Sequence, residues 1–303
     1  MDVPDTNEEL RRRDESIIRR ELAHDAEIAY SDEGWDSRVY IVNGGEAVFK
    51  FPRTPEITDQ YQHEIAALRL LETVDTSVQT PKLRWEGPDR SYYGYEGIVG
   101  DPLGARMRVL DESAKQDVGM ALGSFLKTLH GLELPDAPRH DLDDKVRKYR
   151  EKFDMAKPAL ERAFTPSEQA RLEEFFTGEL PIELQRLGGE IRLCHGDLGP
   201  WNIIVTPTEE VGVIDFGDVA YEDPCVDFSG FGDNSILQAA FDAYGADSWL
   251  REKTILRLRA LPILDIPFYL GKHDAAGLDA CLTFVRRVLI DDNLIADTRF
   301  QRG

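Results

Sequence analysis

Two short stretches hold most of the side chains that could do chemistry. His195-Gly196-Asp197-Leu198-Gly199-Pro200-Trp201-Asn202 is followed, thirteen residues after Asn202, by Asp215-Phe216-Gly217-Asp218. Each stands where a short apolar run, 191 to 194 and 211 to 214, gives way to a polar turn. Turns at strand ends are where a rigid scaffold presents reactive groups. Two carboxylates and an amide in this arrangement suit phosphoryl transfer. That reaction needs a carboxylate near the attacking hydroxyl and hard oxygen ligands for Mg2+ ions that bridge the β- and γ-phosphates. Asp197, Asn202 and Asp215 supply such a set.

A phosphoryl donor also has to be gripped. Lys50 lies in Val48-Phe49-Lys50-Phe51-Pro52, with apolar neighbours on both sides. A lysine inside such a strand requires a carboxylate or a phosphate, because an unpaired buried charge is costly.

The hydrophobic period tells which elements carry these groups. Residues 7 to 24 read as a charged helix with a narrow stripe of Leu10, Ile17, Ile18 and Leu22, and the Arg11-Arg12-Arg13 run is expected on its solvated face. Period-two patterning predicts strands over 27 to 31, 38 to 42 and 47 to 51, with Gly44-Gly45 turning the last two into a hairpin. Ile65, Leu68 and Leu71 predict a helix over 57 to 74, and two more strands follow over 82 to 86 and 92 to 99. After Gly100-Asp101-Pro102 the pattern turns helical up to about residue 187, with a capping box at Thr165-Pro166-Ser167-Glu168. A strand-loop-strand unit is expected over 191 to 214, and helices after it. The change to helical patterning marks a boundary near residue 100 and so two domains, 1 to 100 and 101 to 303.

Bulk composition agrees with a folded chain of two lobes. The 303 residues are 42% apolar and 31% charged, and no apolar run reaches the roughly 18 residues of a membrane span. The charged N-terminus lacks the apolar core of a secretory signal, so a cytoplasmic protein is expected. Cys194, Cys225 and Cys281 lie far apart in no zinc-like spacing and read as buried thiols. A formal charge of −21 argues against nucleic acid and anionic membranes as partners.

The pattern His-Gly-Asp-x-x-x-x-Asn with a later Ile-Asp-Phe-Gly is where the chain resembles the aminoglycoside phosphotransferase family, kin of choline kinases and protein kinases. Phe49-Lys50-Phe51-Pro52, Glu222-Asp223-Pro224 and Asp227-Phe228 are similar to the 2''-type members, whereas Gly199-Pro200-Trp201-Asn202 looks closer to the 3'-type and choline-kinase pattern. The resemblance implies an α/β (α+β) bilobal, protein-kinase-like fold: a five-stranded antiparallel sheet with one helix, then a mainly helical lobe. It makes residues 1 to 100 the nucleotide-binding lobe and 101 to 303 the catalytic and acceptor-binding lobe. It implies Asp197 as catalytic base, Asn202 and Asp215 as Mg2+ ligands, and His195 and Asp218 as loop braces. It further implies that Lys50 contacts the nucleotide phosphates and pairs with Glu64. Gly34 and Ser37 stand where the family's nucleotide loop lies, and Glu96 to Ile98 where the hinge reads the base. ATP or GTP with Mg2+ is the expected donor, and a monomer the expected state.

Charge is distributed unevenly. From Leu193 to Leu250 there is no lysine or arginine, while eleven carboxylates occur: Asp197, Glu209, Glu210, Asp215, Asp218, Glu222, Asp223, Asp227, Asp233, Asp242 and Asp247. An acidic face concentrates cations, so a small cationic acceptor is expected, with Asp233 as its amine contact and Asp223 and Asp227 as loop braces. Three functions are compatible with these residues. They are an aminoglycoside kinase, a kinase of the same fold for a macrolide, sugar or amino alcohol, and a catalytically silent nucleotide-binding module. Loss of Lys50, Asp197, Asn202 or Asp215 would favour the last, and all four are present.

Overall fold

Period-two and helical patterning sort into the elements as follows, in a computed structural model that describes residues 7–22, 25–31 and 36–291. Helix α1 (Asn7–Glu21) precedes β1 (Ile28–Ser31), β2 (Ser37–Val42) and β3 (Ala47–Pro52); α2 (Ile57–Leu71) follows, then β4 (Lys82–Glu86) and β5 (Tyr93–Glu96). The five strands make one antiparallel sheet in the order β1-β2-β3-β5-β4. The hairpin between β2 and β3 closes through a 3-10 turn, Asn43–Gly45, in which Asn43 and Gly44 take positive φ.

Side chains alternate across a strand, and this alternation places Lys50. Tyr40, Val42, Phe49 and Phe51 pack with Ile18 of α1 and with Tyr92 in one core. Lys50, between Phe49 and Phe51, therefore projects from the opposite face. Helix α2 buries Ile57, Tyr61, Ile65, Leu68 and Leu71, and Glu64 lies within that buried set. Helix α1 is fastened to the sheet by Asp14, which accepts from Arg38 Nε at 2.6 Å and from Tyr40 OH at 3.0 Å. Of the arginine run, Arg11 stacks over the Tyr30 ring at 3.7 Å.

Beyond β5 come β6 (Asp101–Pro102) and α3 (Leu103–Arg106), then helices α4 (Glu112–Leu129), α5 (Leu142–Ala163), α6 (Pro166–Glu174) and α7 (Leu180–Leu187). The capping box of Thr165 and Glu168 starts α6, and a second one, Asp141 with Asp144, starts α5. Strand β7 (Arg192–Cys194) leads to β8 (Ile203–Val205), β9 (Val211–Val213) and β10 (Ala220–Glu222). The remaining helices are α8 (Cys225–Phe228), α9 (Asn234–Tyr244), α10 (Ser248–Ala260), α11 (Pro262–Lys272) and α12 (Ala275–Val285). Leu261 joins α10 to α11, and the apolar residues from Pro262 to Leu270 form the body of α11. No described helix is long and apolar enough to cross a membrane.

Residue contacts divide the chain into two compact units. One joins the residues up to Arg106 with Trp201–Val219; the other joins Met107–Pro200 with the residues from Ala220 onward. The sequence pattern alone suggests a single boundary near residue 100. It does not show that the β8–β9 hairpin pairs through β8 with β6 (Asp101↔Val205, Pro102↔Ile204) and so belongs to the first unit. In the second unit, α4 and α9 pack closely because Gly119 and Gly123 present no side chain. A Cβ on either would fall 2.4 Å and 2.2 Å from the carbonyl oxygens of Ile236 and Ala240. A separate core joins α5, α6, α7, α11 and α12 through Phe153, Leu172, Leu184, Ile266 and Val285.

Candidate active site

The first unit contains a buried cation held between two carboxylates. Lys50 Nζ donates to Glu64 Oε1 at 2.8 Å and to Asp215 Oδ1 at 2.7 Å. Lys50 and Glu64 side chains are nearly sealed, at 9% and 4% exposure, whereas Asp215 is 48% exposed. Burial works against the ammonium, but Asp215 and Glu64 outweigh it and hold the Lys50 pKa well above the usual lysine value. Burial raises the Glu64 pKa, and Lys50 only partly offsets that. The triad therefore has one sealed pair and one arm, Asp215, that reaches solvent.

Asp215 sits just past β9 with φ of 65°, a left-handed conformation that only a minority of non-glycine residues adopt and that costs free energy. Antiparallel pairing of β8 and β9 matches Ile203 with Val213, and Ile214 N donates to Asn202 O at 2.9 Å. The hairpin thus brings Asn202 and Asp215, thirteen residues apart in sequence, to the same end of one ladder. After Asp215, Val219 N bonds Phe216 O at 3.2 Å, closing a turn that leaves Asp218 exposed.

Other residues picked out for nucleotide contact fall as follows. Gly34 lies outside the described residues. Ser37 is buried, and its hydroxyl shares a hydrogen bond of 2.8 Å with Tyr61 OH. Glu96 ends β5 opposite Ala47, and its exposed carboxylate accepts from Arg84 Nη2 at 3.0 Å. Ile98 follows in the segment that leaves the sheet, and its side chain packs on Gly212 of β9.

In the second unit Asp197 is exposed, and its position is set through the backbone of the residues just before it. Asp227 is fully buried and accepts from His195 N at 2.9 Å through Oδ2 and from Gly196 N at 2.9 Å through Oδ1. His130, at the end of α4, meets the same Oδ2 through Nε2 at 3.0 Å and meets Tyr244 OH through Nδ1 at 3.1 Å. An ionised carboxylate only accepts, so Nε2 carries the proton, and in a neutral ring Nδ1 accepts from Tyr244. Burial pushes the Asp227 pKa up, but the hydrogen bonds from His130 and from the Gly196 N–H overcome it and hold the carboxyl below its usual value. His195 is fully buried, and its Nδ1 accepts from Asp197 N at 3.3 Å.

The far side of this loop rests on Gly230, where an added Cβ would meet Leu198 O at 1.7 Å. His130, Cys194 and Asp227 stand close enough to share a metal ion. Asp227 is instead filled by its three donors, and Cys194 Sγ, kept protonated by burial, donates to Glu222 O at 3.4 Å. We read this cluster as a hydrogen-bond hub. Nothing in the sequence marks His130 for it, since a lone histidine at a helix end has no spacing signature.

Six of the eleven carboxylates between Leu193 and Leu250 have basic partners drawn from outside that stretch. Besides Lys50–Asp215 and His130–Asp227 these are Lys115–Asp233 at 2.9 Å, Lys145–Glu222 at 3.1 Å, Lys253–Asp223 at 2.6 Å and Arg251–Asp242 at 2.7 Å. Asp233 is buried. Its Oδ1 caps α9 by accepting from Ser235 N at 2.9 Å and Ile236 N at 3.2 Å, while Oδ2 faces Lys115. Linear charge counting missed these partners because five of the six lie at least 30 residues from the acid they meet, and the sixth, Arg251, stands one residue past the stretch.

The sequence profile of the phosphotransferase enzyme family, APH, matches residues 28–261. A search of curated protein sequences finds no match. Among solved structures, the GDP and kanamycin complex of APH(2")-IIia aligns with a TM-score of 0.74 at 20% identity, over 92% of this chain and 99% of that one. The streptomycin-ATP-APH(2")-IIa ternary complex aligns at 0.66 with 20% identity, over 98% and 100%. Macrolide 2'-phosphotransferase MphH from Brachybacterium faecium, as apoenzyme, aligns at 0.61 with 19% identity, over 89% and 98%. At these identities the likeness is one of fold.

Proposed function

This chain belongs to the phosphotransferase enzyme family, and we propose that it transfers the γ-phosphoryl group of ATP or GTP, with Mg2+, to a hydroxyl of an aminoglycoside. The observation that carries the reading is the sealed Lys50–Glu64 pair with its solvent-reaching arm Asp215. A cation held this firmly is pre-organised for phosphate oxygens, which removes the cost of ordering it at the moment of transfer.

The donor chemistry of Asn202 and Asp215 fits Mg2+. An amide oxygen and a carboxylate at one end of the β8–β9 hairpin are hard oxygen ligands, and Asp215 adds the negative charge. Bound there, Mg2+ would neutralise charge on the transferring phosphates. Lys50 is assigned to the non-transferred phosphates, and Glu64 fixes its orientation. Asp197 is assigned to the acceptor hydroxyl. As the hydroxyl oxygen bonds to γ-phosphorus and the bond to the β-phosphate oxygen breaks, the hydroxyl proton passes to the Asp197 carboxylate. Asp227 and His195 hold the backbone that presents Asp197, and Asp218 steadies the turn after Asp215. Gly34, Ser37, Glu96 and Ile98 are assigned to the nucleotide by their place in the chain.

An aminoglycoside acceptor is supported by the ligands of two fold relatives, kanamycin and streptomycin. A second reading, an acceptor with less positive charge such as a macrolide, a sugar or an amino alcohol, is favoured by one observation. Asp233, expected as the amine contact, is buried and already faces Lys115 at 2.9 Å. A nucleotide-consumption assay with ATP and GTP across aminoglycosides, macrolides and amino alcohols separates the two. Acceptor-dependent turnover with phosphate found on the acceptor by mass spectrometry is expected. Nucleotide binding with no turnover on any acceptor would instead identify a silent module.

A further inference from the structure

Trp201 lies between Asp197 and Asn202 in sequence, and no role has yet been given to it. Its side chain is 39% exposed, unusual for an indole. One face of the ring is covered. A Cβ placed on Gly104 of α3 would lie 3.1 Å from both Cε2 and Cζ2 and 3.3 Å from Cδ2. Three nearly equal distances to atoms of the six-membered ring put that point above the ring plane, since an approach at the edge would favour one atom. The Gly104 backbone is therefore the floor under one face.

This floor is anchored. Asp101 and Pro102 of β6 pair with Val205 and Ile204 of β8, so α3 and the strand that follows Trp201 are joined by a ladder. Trp201 is one residue from Asn202 and four from Asp197, which keeps its Cα within roughly 14 Å of the Asp197 Cα whatever the conformation. An indole that merely filled a core would be sealed. One that is backed by glycine on one face, partly exposed, and four residues along the chain from Asp197 offers a surface for stacking.

We propose that Trp201 is a specificity-determining residue that stacks against the acceptor ring bearing the hydroxyl to be phosphorylated. The inference rests on the acceptor-hydroxyl reading above. A saturated, hydroxyl-rich ring offers a C–H face to an indole, and an amine on that ring is attracted to the negative π face. This supplies recognition by contact area. Gly104 is part of the device, because a side chain there would displace the ring.

The test is steady-state kinetics of wild type, Trp201→Phe and Trp201→Ala on an acceptor that wild type phosphorylates. The KM for nucleotide and the thermal midpoint are measured in parallel. Trp201→Ala should raise the acceptor KM about tenfold, the scale of one lost aromatic contact, with kcat and nucleotide KM little changed. Trp201→Phe should recover most of the loss. Acceptor alone should quench tryptophan emission in wild type and do so less in Trp201→Phe, a readout that survives if the alanine variant does not fold. An unchanged acceptor KM with unaltered quenching overturns the proposal. So does an equal rise in nucleotide KM, which would make Trp201 a support for Asn202. If wild type phosphorylates no hydroxyl compound, the functional reading fails first and this inference with it.

Discussion

The two units hold their key acids by opposite means. In the first, Lys50 is clamped by direct side-chain contact with Glu64 and Asp215. In the second, Asp197 is exposed, and order comes from the buried Asp227, which grips the backbone N–H groups of His195 and Gly196. One arrangement stores charge; the other stores geometry. A buried ion pair is weak evidence for stability, since apolar replacement of both partners is often neutral or better. Its retention in the first unit therefore points to chemistry. A buried carboxylate satisfied by backbone donors, by contrast, is needed for the loop to keep its shape.

The largest expected effect tests the charge-storing side. Asp215→Ala should fall to background turnover at any Mg2+ concentration, and Asp215→Asn, which tolerates the left-handed backbone, should fall as far. Recovery of full rate by excess Mg2+ in either variant would demote Asp215 to an auxiliary ligand.

Next comes a paired substitution that separates charge from fold. Lys50→Met alone leaves Glu64 sealed without its partner and should cost about 3–5 kcal/mol of stability by denaturant titration, less whatever is regained when Glu64 takes a proton. The double variant Lys50→Met/Glu64→Leu should recover most of that stability while staying inactive. A double variant as unstable as the single would mean that the pair is structural, and the contrast between the units would collapse.

On the geometry-storing side the effects are smaller. Asp227→Asn puts an amide N–H against backbone N–H donors and should cost about 1–3 kcal/mol and lower kcat more than nucleotide affinity. Its pH dependence has a definite sign. The Asp227 pKa is depressed in the fold, so its contribution is present above the unfolded value, about 3.9, and is lost as pH falls through the lower folded value. Wild type should therefore show an acid limb below about pH 4 that is reduced in Asp227→Asn. Identical acid unfolding of the two proteins would contradict the assignment of Asp227 as an ionised hub.

The contrast also explains what could be read from the sequence. Lys50 is visible because an alternating strand fixes its face and a charge among apolar neighbours calls for a partner; Glu64 as that partner came from the family resemblance, not from the helix pattern. Their atoms stand 2.8 Å apart. The five-stranded sheet was legible for the same reason, through period-two runs with turns at Gly44-Gly45 and beyond. Short strands were not. Strands β6, β8 and β10 have two or three residues each, too few to show a period, and the pairing of β6 with β8 puts 201–219 in the first unit. Ion pairs joining Lys115, Lys145 and Lys253 to the acidic stretch were equally invisible. They span 30 residues at the least, and local charge counting treats the acids as solvated. His130 and Gly230 belong with these, since they act by where the chain folds back.

The most direct test of the account is single-turnover transfer by Asp197→Asn with nucleotide and Mg2+ already bound. The expected result is a nucleotide Kd close to wild type and a transfer rate lower by roughly 10²- to 10⁴-fold, the range for a lost general base or a misplaced nucleophile. A transfer rate above about a tenth of wild type, with chemistry shown to be rate-limiting, would contradict the assignment of Asp197 as the base.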